Sequence, residues 1–117
     1  MERTTHITKT LKEVGISPRF LGYKYLTDAI TAVIDDKTLL RRRVTKELYP
    51  NIAKKNKTTA TRVERAIRHC IETAYDRGNL ELLNEMFGYS ISPSKGKATN
   101  TEFIATVAEY IKETYNG

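Results

Sequence analysis

Residues 49–78 read YPNIAKKNKTTATRVERAIRHCIETAYDRG. In the second half of this stretch Val63, Ile67, Cys70, Ile71 and Ala74 recur at spacings of three, four and one, which is the pattern of a helix with one buried face. At about 100° per residue, Thr61, Arg65, Arg68 and Glu72 fall on the opposite face. Arg62 and His69 flank that outer face, and Glu64 lies nearer one side. In the first half, Pro50 suits the opening turn of a short helix, Pro50 to Asn56, where a missing N–H costs nothing. Ala53 is small enough to let two helices cross closely. Lys57-Thr58-Thr59 supplies the turn, and the hydroxyl of Thr58 or Thr59 can cap the second helix. The stretch, about 49–77, therefore reads as a helix-turn-helix. A helix seated by its apolar face and presenting guanidinium groups outward fits a DNA major groove.

Three details qualify this pattern. Asn56 occupies a position that is normally apolar. Lys57 stands where a glycine is frequent, so a left-handed backbone there would carry strain. Thr61-x-x-Glu64 matches a capping box, which leaves Glu64 two readings: helix start, or acceptor facing a base.

The chain has 117 residues, enough for one domain with a real core, with seven Tyr and three Phe as large packing groups. Its charge is unevenly placed. Arg41 to His69 holds ten Lys/Arg against two acids, a balance of +8, which leaves −2 for the rest of a chain of net +6. A basic stripe confined to one motif points to a polyanionic partner. No apolar run approaches the ~20 residues of a membrane span, and Met1 to Lys12 lacks the apolar run of a signal peptide. A single cysteine cannot form an internal disulfide, so a reducing, cytoplasmic location is expected, with Cys70 as a small core residue.

Around the motif the sequence reads as helices only, six to seven in all, giving an all-α compact bundle. Thr5 to Val14 forms a first helix stopped by Gly15. Ile16 to Leu21 connects, and Tyr23 to Asp35 follows, with Leu26, Ala29, Ile30, Val33 and Ile34 as a buried stripe. A third helix is expected from Thr38 to Leu48, with Leu39, Leu40, Val44 and Leu48 facing inward and Arg41-Arg42-Arg43 spread around it as a generic electrostatic aid. Past Gly78, Asn79 caps a helix Leu80 to Phe87 that Gly88 closes. Tyr89 to Ala98 is a loop. Thr99-x-x-Glu102 is a second capping box, opening a last helix through Tyr115.

Catalysis finds no support. His6 and His69 lack a nucleophile partner, no Cys/His cluster has metal spacing, and no glycine-rich phosphate loop occurs. No cofactor is expected. Two binding alternatives to duplex DNA stay open. One is a helical protein-interaction module whose basic patch meets an acidic partner. The other is RNA, against which stands the lack of aromatic platforms among the basic residues.

Several stretches carry a family resemblance. They are Gly22-Tyr23-x-Tyr25-Leu26, Leu48-Tyr49-Pro50-x-Ile52-Ala53-Lys54-Lys55, and the long run Thr58-Thr59-Ala60-x-Arg62-Val63-Glu64-Arg65-Ala66-Ile67-Arg68-His69. Arg77-Gly78-Asn79, Phe87-Gly88-Tyr89 and Thr99-Asn100-x-Glu102-Phe103-Ile104-Ala105 complete the set. Together they resemble the C-terminal DNA-binding effector domain of the sporulation master response regulator of spore-forming bacteria, from about Leu11 onward. The resemblance implies a helical bundle that binds promoter sites, often as head-to-tail tandem pairs, activating some genes and repressing others. It implies base-reading roles for Arg62, Glu64 and Arg65. It implies a contact with the sigma subunit of RNA polymerase through Leu80, Asn84, Phe87 and Tyr89, although Leu82, Asn84 and Glu85 depart from the family pattern. Family members carry an N-terminal phosphorylatable receiver domain, for which 117 residues leave no room, so a single effector domain over 1–117 is expected. Lys54, Thr58, Thr59, Thr61, Arg68 and His69 are placed to touch phosphates, and Lys95 and Lys97 to add a backbone contact from their loop.

Overall fold

The computed structural model describes residues 3–88 and 96–115. Among them are six α-helices: α1 (Arg3–Glu13), α2 (Leu21–Asp35), α3 (Tyr49–Lys55), α4 (Ala60–Arg77), α5 (Leu80–Phe87) and α6 (Asn100–Tyr115). No described residue lies in a strand. The all-α expectation holds. No described helix is long and apolar enough to cross a membrane.

The most apolar of the long helices, α2, is the hub. It packs against α1, α3, α4 and α6. Its Tyr25, Leu26, Ala29, Ile30 and Val33 are buried against Ile7 and Leu11 of α1, Ile67 and Ile71 of α4, and Phe103, Ile104 and Val107 of α6. The α2–α4 crossing is unusually close. A methyl group on Gly22 would lie 2.3 Å from the Ala66 carbonyl oxygen and 2.7 Å from Cys70 Sγ. A second close approach joins the ends of α1 and α4, where a methyl on Gly78 would meet the Val14 carbonyl oxygen at 2.2 Å. The Asn79 N–H donates to that same Val14 oxygen at 3.1 Å, which fixes where α4 ends and α5 begins.

Cys70 sits wholly inside, and burial pushes its thiol up to about 11 from an ordinary 9.0. It is therefore a neutral core group at physiological pH. Its contribution to stability is complete below about pH 9 and is lost as pH rises towards 11, because the unfolded chain releases the proton first. At pH 8 a thiol reagent is expected to label the native chain far more slowly than the urea-unfolded chain. Equal rates would contradict this placement.

The expected third helix, Thr38 to Leu48, does not form. In its place stand a 3-10 turn, Lys37–Leu40, and a π-type turn, Val44–Leu48, separated by Arg41 to Arg43. The reason is geometric. Leu39 and Leu48 are both buried. On one straight helix, nine residues apart, they would point about 180° from each other. Breaking the chain between them lets both face the core. Arg43 holds the break together, donating to both Glu47 carboxylate oxygens at 2.6 and 2.8 Å and to Thr38 Oγ1 at 2.6 Å. Asp36 starts the segment by accepting from the Thr38 N–H at 3.1 Å. Its carboxyl is held below the usual range by the Thr38 hydroxyl, with help from Arg43.

The other helix ends follow the sequence closely. Gly15 (φ +104°) stops α1 and Gly88 (φ +54°) closes α5. Asn79 Oδ1 accepts from the Leu82 N–H at 3.0 Å. At the start of α6, Thr99 and Glu102 form the reciprocal capping box, with bonds of 2.8 and 3.1 Å.

Candidate nucleic-acid interface

α3 and α4 form the helix-turn-helix, and α3 lies one residue ahead of the expected Pro50–Asn56. Tyr49, Ile52 and Ala53 are its buried residues. The turn closes when the Thr58 N–H donates to the Ala53 carbonyl at 2.9 Å, with Lys57 in the left-handed conformation at φ +55°. This is the strained lysine that the sequence foresees. Thr59 is the cap: its Oγ1 accepts from the Arg62 N–H at 3.2 Å. Thr61 therefore lies inside α4, and the Thr61–Glu64 capping box is not formed.

Asn56 shows why a polar residue is tolerated at an apolar position. It is half-buried, and its Nδ2 donates to Asp28 Oδ2 at 3.0 Å and to the Ile52 carbonyl at 2.8 Å. Asp28 on α2 is only 10% exposed at its side chain and also receives Lys24 (3.3 Å) and Lys55 (3.4 Å). The turn of the motif is thus tied to the central helix by a charge-assisted bond. Sequence reading alone misses Asp28. The one available signal is Asn56, whose amide has to find a partner once half-buried.

The buried stripe of α4 is the expected Val63, Ile67, Cys70, Ile71 and Ala74. Thr61, Arg62, Arg65, Arg68, His69 and Glu72 are exposed. Among the described residues, the side chains of Arg62 and Arg65 have no ion-pair or hydrogen-bond partner. Arg68 differs, because its guanidinium is bonded to the Glu64 carboxylate one turn back. The two charges offset each other, and Glu64 is partly covered at 28% exposure. His69 lies tilted against the Phe20 ring with centroids 5.4 Å apart. Lys54 is exposed at the end of α3, Thr58 is half-buried in the turn, and the Thr59 hydroxyl is engaged as the cap.

α6 braces the motif from behind. The Asn100 amide donates to Tyr49 Oη at 3.2 Å and to the Glu64 carbonyl at 3.1 Å, joining the starts of α3, α4 and α6. Burial pushes the Tyr49 hydroxyl upward in pKa, against the Asn100 bond, so it remains a neutral phenol. A groove of about 480 Å³ opens beside this junction, lined by Val44, Thr45, Glu64, Arg68, Glu72 and the segment 97–101. Lys97 reaches the far end of α4, where it pairs with Asp76 at 3.0 Å. Lys95 lies outside the described residues.

α5 stands apart from this face. Leu80, 51% exposed, and Asn84 are on its surface. Phe87 is not: its ring is buried, 6.2 Å from Phe103 and 6.4 Å from Tyr75. It is a core residue because α5 is anchored through it, and it offers no surface to a partner. Tyr89 lies outside the described residues.

The arrangement is an electropositive helix face, rigidly seated, with two uncommitted arginines near a capped helix start. Among the described residues no cluster of His, Cys, Asp and Glu could hold a metal ion. Residues 7–111 of the 117 match the family described as the C-terminal domain of the sporulation initiation factor Spo0A.

Proposed function

The chain belongs to that sporulation initiation factor C-terminal family, a family of DNA-binding effector domains and not of enzymes, and from this premise we propose that it reads specific promoter sequences with α4. The observation that carries the proposal is the pair of exposed, unpartnered arginines, Arg62 and Arg65, on the outer face of a helix whose inner face is locked into the core. Each can donate two hydrogen bonds to the O6 and N7 of a guanine, which discriminates by about 1–3 kcal/mol. Glu64 accepts from a cytosine N4 amine only if it releases Arg68, so base reading there competes with an ion pair. Lys54, Thr58, Thr59, Thr61, Arg68 and His69 meet phosphates and set the register. Lys97 joins them only by leaving Asp76.

Bound in this way, the domain activates or represses transcription, as head-to-tail pairs on tandem sites. Leu80 and Asn84 on the surface of α5 form the patch for the RNA polymerase sigma subunit, with Phe87 supporting it from inside. The support for this patch is the family resemblance, together with the exposure of Leu80 and Asn84 on a helix that follows the C-terminal end of α4.

The deciding experiment is selection of sites from a random duplex library. Enrichment of one short sequence is the expected result. Enrichment of none, with capture of an acidic protein partner instead, would favour the interaction-module reading. For the phosphate set, Lys54→Ala should weaken specific and random duplex equally and flatten the slope of log affinity against log salt by about 0.9. An unchanged slope would remove Lys54 from that set.

A further inference from the structure

The arginine triplet has no role in the motif described so far, yet its three members are held very differently. Arg43 is half-buried and fully engaged with Glu47 and Thr38, with Asp36 3.6 Å away. Arg41 and Arg42 are exposed, and neither side chain has a partner among the described residues. Arg42 adopts φ +66°, a left-handed backbone that most residues with a Cβ avoid and that suits glycine best. A guanidinium is thus kept at a position where the backbone alone would select glycine. Strain retained in this way is a pointer to function.

The location gives the pointer a direction. The segment runs through the π-type turn directly into α3. In a helix-turn-helix, the first helix crosses the sugar-phosphate backbone while the second lies in the groove. Val44 and Thr45, at the near end of the turn, line the same groove as Glu64, Arg68 and Glu72 on α4. The turn therefore flanks the exposed face of α4, at the level where Arg68 is already offset by Glu64. Lys46 adds an exposed positive charge within the same turn.

We propose that Arg41 and Arg42 form a second phosphate-binding arm, riveted by Arg43, that grips the DNA backbone beside the groove entered by α4. The arm rests on the duplex-binding reading above. It adds affinity without adding sequence discrimination, since phosphates carry no base identity.

The test uses the full chain carrying Arg41→Ala together with Arg42→Gly. Its thermal midpoint should equal or exceed that of the parent chain, because glycine relieves the left-handed strain. Its affinity for a selected site and for random duplex should fall by the same factor. Two fewer phosphates are then neutralised, so the ratio of parent to variant affinity should shrink roughly tenfold between 50 and 200 mM salt. A charge-matched control, Lys9→Ala with Lys12→Ala, alters α1, which packs on α2 and α6, and should keep the parent slope. A variant with the parent slope overturns the arm, as does a control whose slope falls as much. If the parent chain binds no duplex in a salt-dependent way, the duplex-binding reading itself falls. If the parent selects a site and only the slope fails to change, the arm alone falls.

Discussion

Gly22→Ala is expected to destabilise the domain by about 3 kcal/mol or more, lowering the thermal midpoint by roughly 10 °C. Helix propensity argues for the opposite sign, because alanine inside a helix is favoured over glycine by about 1 kcal/mol. Packing overrides it. The added methyl would stand 2.3 Å from a backbone oxygen of α4 and 2.7 Å from Cys70 Sγ. The oxygen and the Ala66 carbonyl carbon, 2.7 Å away, are backbone atoms that cannot swing aside, and the Cys70 thiol is enclosed in the core. The two helices must separate, and α2 is the element on which α1, α3, α4 and α6 all rest. Gly88→Ala is the useful contrast. A methyl there meets nothing within 4 Å, and only its φ of +54° is disfavoured, so a loss near 1 kcal/mol is expected. Urea unfolding of both variants checks the ordering. A Gly22→Ala chain as stable as its parent would mean that the α2–α4 crossing is looser than described.

The second large effect concerns recognition and leaves the fold alone. Arg62→Ala combined with Arg65→Ala should cost about 2–4 kcal/mol of discrimination, so the ratio of specific to random affinity falls by roughly 30- to 1,000-fold. The two positions are neighbours on one face, and their single effects are not expected to add. Both side chains are exposed and without partners among the described residues, so thermal stability should move by no more than about 0.5 kcal/mol. Titration of a selected site and of random duplex, side by side, gives the answer. An equal loss on both would assign the pair to phosphates and remove base reading from this face.

Much of this architecture can be read from the chain because local rules and packing agree there. The α4 stripe, the Thr59 cap, the Asn79 cap, the Thr99–Glu102 box and the stops at Gly15 and Gly88 are all short-range patterns with one physical solution. The segment from Lys37 to Leu48 is not legible in the same way. Its leucines and valine fit a helical period over short windows, and only the need to bury Leu39 and Leu48 together shows that a straight helix fails. Glu64 is ambiguous for a related reason. The spacing Thr61-x-x-Glu64 is correct for a cap, but Thr59 starts the helix earlier and leaves the carboxylate to Arg68. Phe87 enters the partner set through the family resemblance alone; its apolar spacing with Leu83 fits the buried side that it occupies beside Phe103. The tie from Asn56 to Asp28 joins distant parts of the chain, and its one local trace, a polar residue at an apolar position, does not name the partner.

His6 on α1 stacks on Tyr115 of α6, with centroids 3.8 Å apart and planes within 10°. The first and last helices therefore clasp each other, although nearly the whole polypeptide lies between them. Bulk or charge introduced at His6 is thus felt at Tyr115, more than a hundred positions further along the chain.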